Sequence, residues 1–499
     1  MTRSWYCAFT IVSVFLLLAG CVRMGPDYTR PDLGPAGRNQ YQHGPAAEDT
    51  APAGERWWEV FGDRQLNALV LEALEHNWDI RQATARVLEV RTQLVQTRAD
   101  RFPALSIQAQ AQKQRLNVPS LSLGPGGFTQ VDDQETVNAH ALSLPATFEL
   151  DLWGRLSRAE EAVRAELLRA EETRHTVSQT VAGETASLYL QIEGLERRIQ
   201  VAQNRIATFG KSLALVEGRY RRGLTSILDV RQSRRLLASS EAALPGLRQE
   251  LGIAQQRQAT LLGRYPETTP PRMQPEDYFI RLKPVPPGLP SDLLVQRPDI
   301  RAAEARLTSL NAQVGAARAA RFPRITLTAA YGYSSQALTE LFDPESELRS
   351  MALGMVQPIF DMGRLKAGQK AAEARYRQGV ADYAKTVLNA FFEVEKALLT
   401  RKEQMKRRDR ILEWLKEARA TQEAAERRYL RGLVDYLNVL EAMNARFEAE
   451  DNLVLVDLAI FQNRVSLHRA LGGAWARPEP IEEKEEIWEV FPVLPEYGR

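Results

Sequence analysis

The sequence predicts a mainly α-helical protein with a minority of strands, built from two copies of one unit centred on a long helical hairpin. Three observations predict it. The stretch Arg219-Tyr220-Arg221-Arg222-Gly223-Leu224-Thr225-Ser226-Ile227-Leu228-Asp229-Val230 returns 209 positions later (432 − 223) as Arg428-Tyr429-Leu430-Arg431-Gly432-Leu433-Val434-Asp435-Tyr436-Leu437-Asn438-Val439. Each copy lies between two long runs of helical periodicity. Each half also holds two segments in which apolar and polar residues alternate with a period of two, the mark of a strand.

The duplication extends beyond the hairpin tips. Asp79-Ile80-Arg81 matches Asp299-Ile300-Arg301, and Arg101-Phe102-Pro103 matches Arg321-Phe322-Pro323, both 220 apart (299 − 79 and 321 − 101). The first half therefore carries 11 extra residues (220 − 209) between Pro103 and Gly223, read as a longer loop. Solenoid repeats run roughly 20 to 50 residues, so this is a duplicated domain. The halves are placed at 63–265 and 291–472.

Taken in order, residues 1–20 read as a signal peptide: Arg3 precedes an apolar run, Ala8 to Ala19, too short to span a bilayer. It ends Leu18-Ala19-Gly20-Cys21, which resembles a bacterial lipobox, so Cys21 is the expected site of acylation. Cys7 would leave with the peptide, and the mature chain would hold neither a free thiol nor a disulfide. Residues 21–62, with Gly25-Pro26-Asp27-Tyr28-Thr29-Arg30-Pro31, read as an extended tether. Asp63 is placed to cap a helix running from Leu66 to Arg101.

At Phe102-Pro103 the period switches. Leu105, Ile107, Ala109 and Ala111 alternate with Ser106, Gln108, Gln110 and Gln112, giving a strand at about 103–113, and Val137, Ala139 and Ala141 mark a second at 136–147. Pro119 to Asp133 between them reads as a surface loop; its Gly124-Pro125-Gly126-Gly127 lacks the Lys and the helix of a phosphate loop. Asp151 opens a long helix whose positions Ile192, Leu195, Ile199, Ala202, Ile206, Phe209, Leu213, Val216 and Tyr220 follow a heptad seam. Unbroken from Leu156 to Arg222, it would reach on the order of 100 Å at about 1.5 Å per residue. At Gly223 the chain can stop in the left-handed conformation and turn back. The return helix meets Pro245-Gly246, where a kink or break is expected.

Residues 266–290 form a proline-rich linker, and Ser291 can cap the next helix. Two strands follow at about 324–335 and 349–358, then a long helix from Leu365 to Arg431, the tip at Gly432, and a return helix. The return helix places Leu433, Leu437, Leu440, Asn444, Phe447, Asp451, Val454, Leu458, Phe461 and Val465 on one stripe. Asn444 and Asp451 suit it poorly to a dry core. Residues 473–499 read as a loose acidic tail.

The 499 residues are 44% hydrophobic and 26% charged with a net charge of +2, which points neither to nucleic acid nor to an acidic partner. After the N-terminus no apolar run reaches the roughly 20 residues of a membrane helix, so any crossing must use strands. Four strands cannot close a barrel, which needs at least about eight. Three copies supply twelve and close most simply; a dimer with eight is also open to symmetry. No catalytic constellation is present, the five His are scattered, and neither a metal site nor a cofactor is expected.

These motifs, with Trp57-Trp58, the Asp-x-x-Gly and Asp-x-Gly helix starts and Gln296-Arg297-Pro298-Asp299, resemble the TolC/OprM-like outer-membrane efflux channels, in particular their lipoprotein branch, over almost the whole chain. The resemblance implies a homotrimer with a twelve-stranded β-barrel in the outer membrane, four strands per protomer, and a periplasmic α-barrel. It also implies partners: a periplasmic adaptor and an inner-membrane pump, often of the resistance-nodulation-division class. The adaptor would dock on the tips, at Gly223, Leu224, Thr225 and Gly432, Leu433, Val434. From the residues alone Leu437 reads as packing and Glu441 as a solvated face; the resemblance puts Leu437 at an apolar constriction and Glu441 in an acidic ring, with Asn438 where some members carry Asp. Asp229 matches a residue that some members pair with a base two positions past the second tip Gly. Here that position is Val434, a departure from the pattern. Two alternatives stand beside drug efflux: an exit channel for protein secretion, and a pore-free periplasmic coiled-coil lipoprotein, which would have no use for the strands.

Overall fold

The structure is a computed structural model that describes residues 23–32, 41–42, 56–124, 127–268 and 293–473, with backbone alone over 116–124 and 127–135. The expected signal peptide, Cys21, nearly all of the linker 266–290, Ser291 and all but the first residue of the tail lie outside the described residues. The elements are α1 (Arg64–His76), α2 (Trp78–Ala99), β1 (Ala104–Leu105), β2 (Gln108–Gly124), β3 (Gly127–Leu150), α3 (Arg155–Arg221), α4 (Ile227–Leu261), α5 (Leu293–Gln296), α6 (Pro298–Ala319), β4 (Arg324–Ser335), β5 (Glu347–Val356), α7 (Arg364–Leu430) and α8 (Tyr436–Ala470).

The halves of the duplication are not the compact units of the fold. One unit comprises Met1–Pro31, Val87–Ala170 and Ala303–Tyr383; the other comprises Asp32–Arg86, Glu171–Ala302 and Ala384–Arg499. Each takes a piece from both repeats, because strands of one half pair with strands of the other.

The first unit contains the sheet. β1 and β2 pair in succession along β3, β3 pairs with β4 and β4 with β5, all antiparallel. The β2–β3 ladder runs to Gly124↔Gly127, so the loop expected over Pro119–Asp133 is strand instead. Leu121 and Leu123 alternating with Ser120 and Ser122 continue the period of two up to the Gly124↔Gly127 pair. The 11 extra residues of the first half thus lengthen a hairpin. Gly332 is where β4 crosses closest to β3: a Cβ there would lie 2.2 Å from the Leu142 carbonyl oxygen. Tyr331 and Tyr333 share a face of β4, ring centroids 6.3 Å apart, and Phe342 stacks edge-on to Tyr333.

The start of the segment expected to be an extended tether is clamped within this unit. Arg158, buried to 2% exposure, donates to Asp27 Oδ1 and Glu161 Oε2, both at 2.8 Å, and to the Met24 carbonyl at 3.3 Å. Asn311 donates to the Pro26 carbonyl at 2.9 Å, and Arg30 pairs with Glu304. A Cβ on Gly25 (φ +93°) would meet Gly315 Cα at 2.6 Å, so the close approach of these two backbones requires glycine. Asp151 starts α3 by accepting from the amides of Leu156 (3.0 Å) and Ser157 (2.7 Å); Asp361 does the same for α7 through Gly363 and Leu365, both at 2.9 Å.

The second unit is helical. Asp63 caps α1 through the Gln65 and Leu66 amides and accepts from the Tyr189 hydroxyl at 2.7 Å. The single helix expected from Leu66 to Arg101 is broken at Asn77, whose Oδ1 accepts from the Asp79 amide at 2.9 Å and so starts α2. Trp57, Trp58 and Phe61 fill a core with Leu66, Val70, Ala186, Leu190, Phe461 and Val465. Arg297 is held by Asp299, by Glu393 at 2.8 Å and by the Ala470 carbonyl at 2.7 Å. α4 runs through Pro245 as one helix, so of the kink or break expected there the break does not occur. Pro245 is exposed, so the carbonyl that loses its amide partner can turn to water.

Candidate functional site: the hairpin tips

Both tips fold by one mechanism. Gly223 (φ +70°) and Gly432 (φ +72°) are left-handed. The Leu224 amide donates to the Arg219 carbonyl and the Gly223 amide to that of Tyr220; Leu433 and Gly432 repeat the pair on Arg428 and Tyr429. This is the Schellman termination, which satisfies carbonyls that a helix end leaves open. The next helix then starts differently in each half. In the first, Ser226 and Asp229 form a reciprocal capping box, and Thr225 also donates to the Asp229 carboxylate. In the second, Asp435 sits at the cap without a side-chain bond.

The expected tip residues divide accordingly. Leu224 and Leu433 stand out, 58% and 61% exposed. Thr225 turns to Asp229, and Val434 packs against the core beneath. Asp229 has a local role within its own turn.

That core holds the two hairpins together. Phe209, Val216 and Val230 from the first meet Tyr429, Tyr436, Val439, Leu440, Met443 and Phe447 from the second. At its centre Tyr436 is fully buried, its hydroxyl 2.6 Å from Ser212 Oγ and accepting from Ser233 Oγ at 2.9 Å. One side chain of the second hairpin thereby ties both helices of the first, and burial pushes its phenol above the ordinary range. Hydrophobic periodicity alone does not single out this clasp. The available signal is that Tyr436 stands where the first repeat has Ile227 (227 + 209), an apolar position given a hydroxyl.

The stripe expected along α8 splits. Leu440, Phe447, Phe461 and Val465 are buried, whereas Leu437 is 46% exposed and Asn438 and Glu441 lie open beside it. Glu448 and Leu455 extend that open line at heptad spacing. Asn444 and Asp451, which fit a dry seam poorly, are matched across to α3: Arg205 donates to Asn444 Oδ1 at 2.6 Å, and Arg198 to Asp451 at 2.8 and 3.2 Å. Thus Leu437, Asn438 and Glu441 share one exposed face, and Asp229 belongs to a different turn.

A family model described as outer membrane efflux protein matches the chain twice, over residues 69–264 and 289–473. The pyoverdine export outer membrane protein OpmQ of Pseudomonas putida is 32% identical over 91% of this chain and 95% of its own length. The cation efflux system protein CusC of Escherichia coli O157:H7 is 33% identical over 94% and 99%. Among solved structures, the outer-membrane channel OprN superposes with a TM-score of 0.83 at 30% identity, covering 90% of this chain and 99% of OprN. VceC of Vibrio cholerae gives 0.75 at 27% identity over 85% and 99%. The two family matches fall on the two repeats read from the sequence. The chain belongs to the outer membrane efflux protein family and is an outer-membrane exit duct.

Proposed function

We propose that three copies of this chain form one channel, passing small molecules from a periplasmic adaptor and an inner-membrane pump of the resistance-nodulation-division class to the exterior. The observation that carries this is the sheet of β1 to β5, four strands across because β1 and β2 follow one another along β3: among the described residues the outer edges of β2 and β5 have no partner strand. Edges that face lipid leave unsatisfied backbone groups at several kcal/mol each, so a membrane sheet must close on itself. Twelve strands satisfy that requirement, and the family works as trimers with adaptor and pump partners. Relatives named for pyoverdine export, cation efflux and solvent efflux lie within 32–34% identity of this chain, so one duct architecture serves chemically unrelated small cargos.

In this reading Cys21 carries the lipid, and the clamped segment 23–31 fixes the chain behind it. Leu224 and Leu433 are offered to the adaptor, with Gly223 and Gly432 setting their geometry. Leu437 and Glu441 line the resting constriction, Asn438 beside them. Light scattering of the detergent-solubilised protein should give a trimer mass, and planar bilayers should show discrete channels; a monomer that conducts would refute the proposal. Mass spectrometry of the mature N-terminus should find acylated Cys21, and an unmodified Cys21 would remove the anchor from the proposal.

A further inference from the structure

The two hairpins end in nearly the same fold but in opposite charge. Between Lys211 and Arg235 there are seven cations against two carboxylates; the equivalent residues 420–444 of the second hairpin hold three cations against four carboxylates. Stabilising a helix C-terminus accounts for basic residues near both tips. It does not account for Arg231, Arg234 and Arg235, which lie in α4 and whose counterparts 209 positions on are Leu440, Met443 and Asn444; Arg221, in the last turn of α3, has Leu430 as its counterpart in the second repeat.

Arg234 pairs with Glu217 at 2.7 Å. Arg221, Arg222, Arg231 and Arg235 are exposed and have no acidic partner among the described residues. Arg231 and Arg235 stand four apart on one helix face, an arrangement that destabilises an isolated helix by like-charge repulsion. Next to them an exposed apolar group, Leu224, Ile227 and Leu228, projects from the tip. An apolar centre with a charged rim is the anatomy of a protein interface, and a rim of one sign selects a partner of the other.

We propose that the first hairpin tip is the charge-reading half of the adaptor dock, and that it takes a helical protein end bearing carboxylates around an apolar residue. The second tip, without this rim, contributes apolar contact through Leu433. This rests on the tip-docking reading above. A protein occupant fits better than a lipid surface, because the apolar group is three side chains at a turn and no long amphipathic face accompanies it.

The test uses the full-length trimer in detergent and the purified soluble part of the adaptor whose co-expression restores efflux through it, with affinity measured across a salt series. Reversing the rim with R221E, R231E and R235E should weaken binding at low salt about tenfold or more and flatten its salt dependence. R221K, R231K and R235K should bind nearly as the parent does. Trimer mass and sheet content of each variant exclude misfolding as the cause. Unchanged affinity and salt slope after reversal, or tighter binding, would overturn the proposal. So would adaptor-independent binding of the parent to phosphatidylglycerol vesicles that the same reversal abolishes. L224D with L433D separates the two layers. If that pair abolishes binding and the charge reversal does not, tip docking stands and the carboxylate partner falls. If neither change matters, tip docking itself fails.

Discussion

Tyr436 shows how much a single hydroxyl can carry when it is buried between elements. Its phenol joins Ser212 and Ser233 inside an otherwise apolar cluster, so Tyr436→Phe leaves two serine hydroxyls short of a partner, at about 1–3 kcal/mol. Hydrogen exchange should then quicken in the first turns of α4 and α8 and stay unchanged in the sheet; equal protection in both proteins would mean that the clasp adds nothing. His468 makes a different demand on the second unit. It stacks on Trp57 with centroids 5.4 Å apart, and burial, with repulsion from Arg464 added, holds its imidazole down at about 4. The unfolded chain takes up that proton near 6.5. Stability supplied by the neutral ring is therefore complete above pH 6.5, falls as the pH drops towards 4 and levels off below, at about 1.4 kcal/mol per unit of separation. Thermal melts across that window should show the decline, and His468→Phe, which keeps the stack, should reduce it.

The two tip glycines govern whole elements, since each sets where one helix stops and the next begins. Nothing lies within 4 Å of a Cβ built on Gly223 or Gly432, so a substitution there meets no steric neighbour and is strained only through its positive φ. Val should then cost roughly 1–2 kcal/mol at each tip, whereas Asn, which tolerates the left-handed region, should cost less. Efflux that is normal in the double Val variant would show that tip geometry is dispensable. Much at this scale was legible in the residues: the duplicated tip, the cap at Asp63, and a first long helix expected from Leu156 to Arg222 and found at Arg155–Arg221. The errors share a physical cause. A break at Asn77 and continuity through Pro245 are decided by one side-chain hydrogen bond and by one exposed carbonyl, and composition encodes neither. The long β2–β3 pairing was missed because the Gly and Pro residues of the sequence there weighed more than the Leu-Ser alternation beside them. The ion pairs of Arg158 with Asp27 and of Arg198 with Asp451 join residues 131 and 253 positions apart, so only the fold brings them together.

At the scale of the whole assembly, the open face of α8 acquires meaning only when copies are brought together. Leu437 and Glu441 are one helical turn apart, exposed, and without an ion-pair or hydrogen-bond partner among the described residues. In one chain that face is simply solvated. In a closed trimer with this face turned to the pore, three leucines would narrow the passage and three carboxylates would ring it one turn further in. The resting channel should then conduct little and prefer cations, because a ring of carboxylates attracts them. Leu437→Ala removes bulk alone and should raise resting conductance in planar bilayers severalfold without changing ion preference. Glu441→Gln removes charge alone and should lower the preference for cations and the block by divalent ions, with little change in conductance at high salt, where the ring is already screened. The two variants separate size from charge. If neither changes its own measurement, the constriction is formed by other residues, and the exposed line along α8 is an ordinary solvated face.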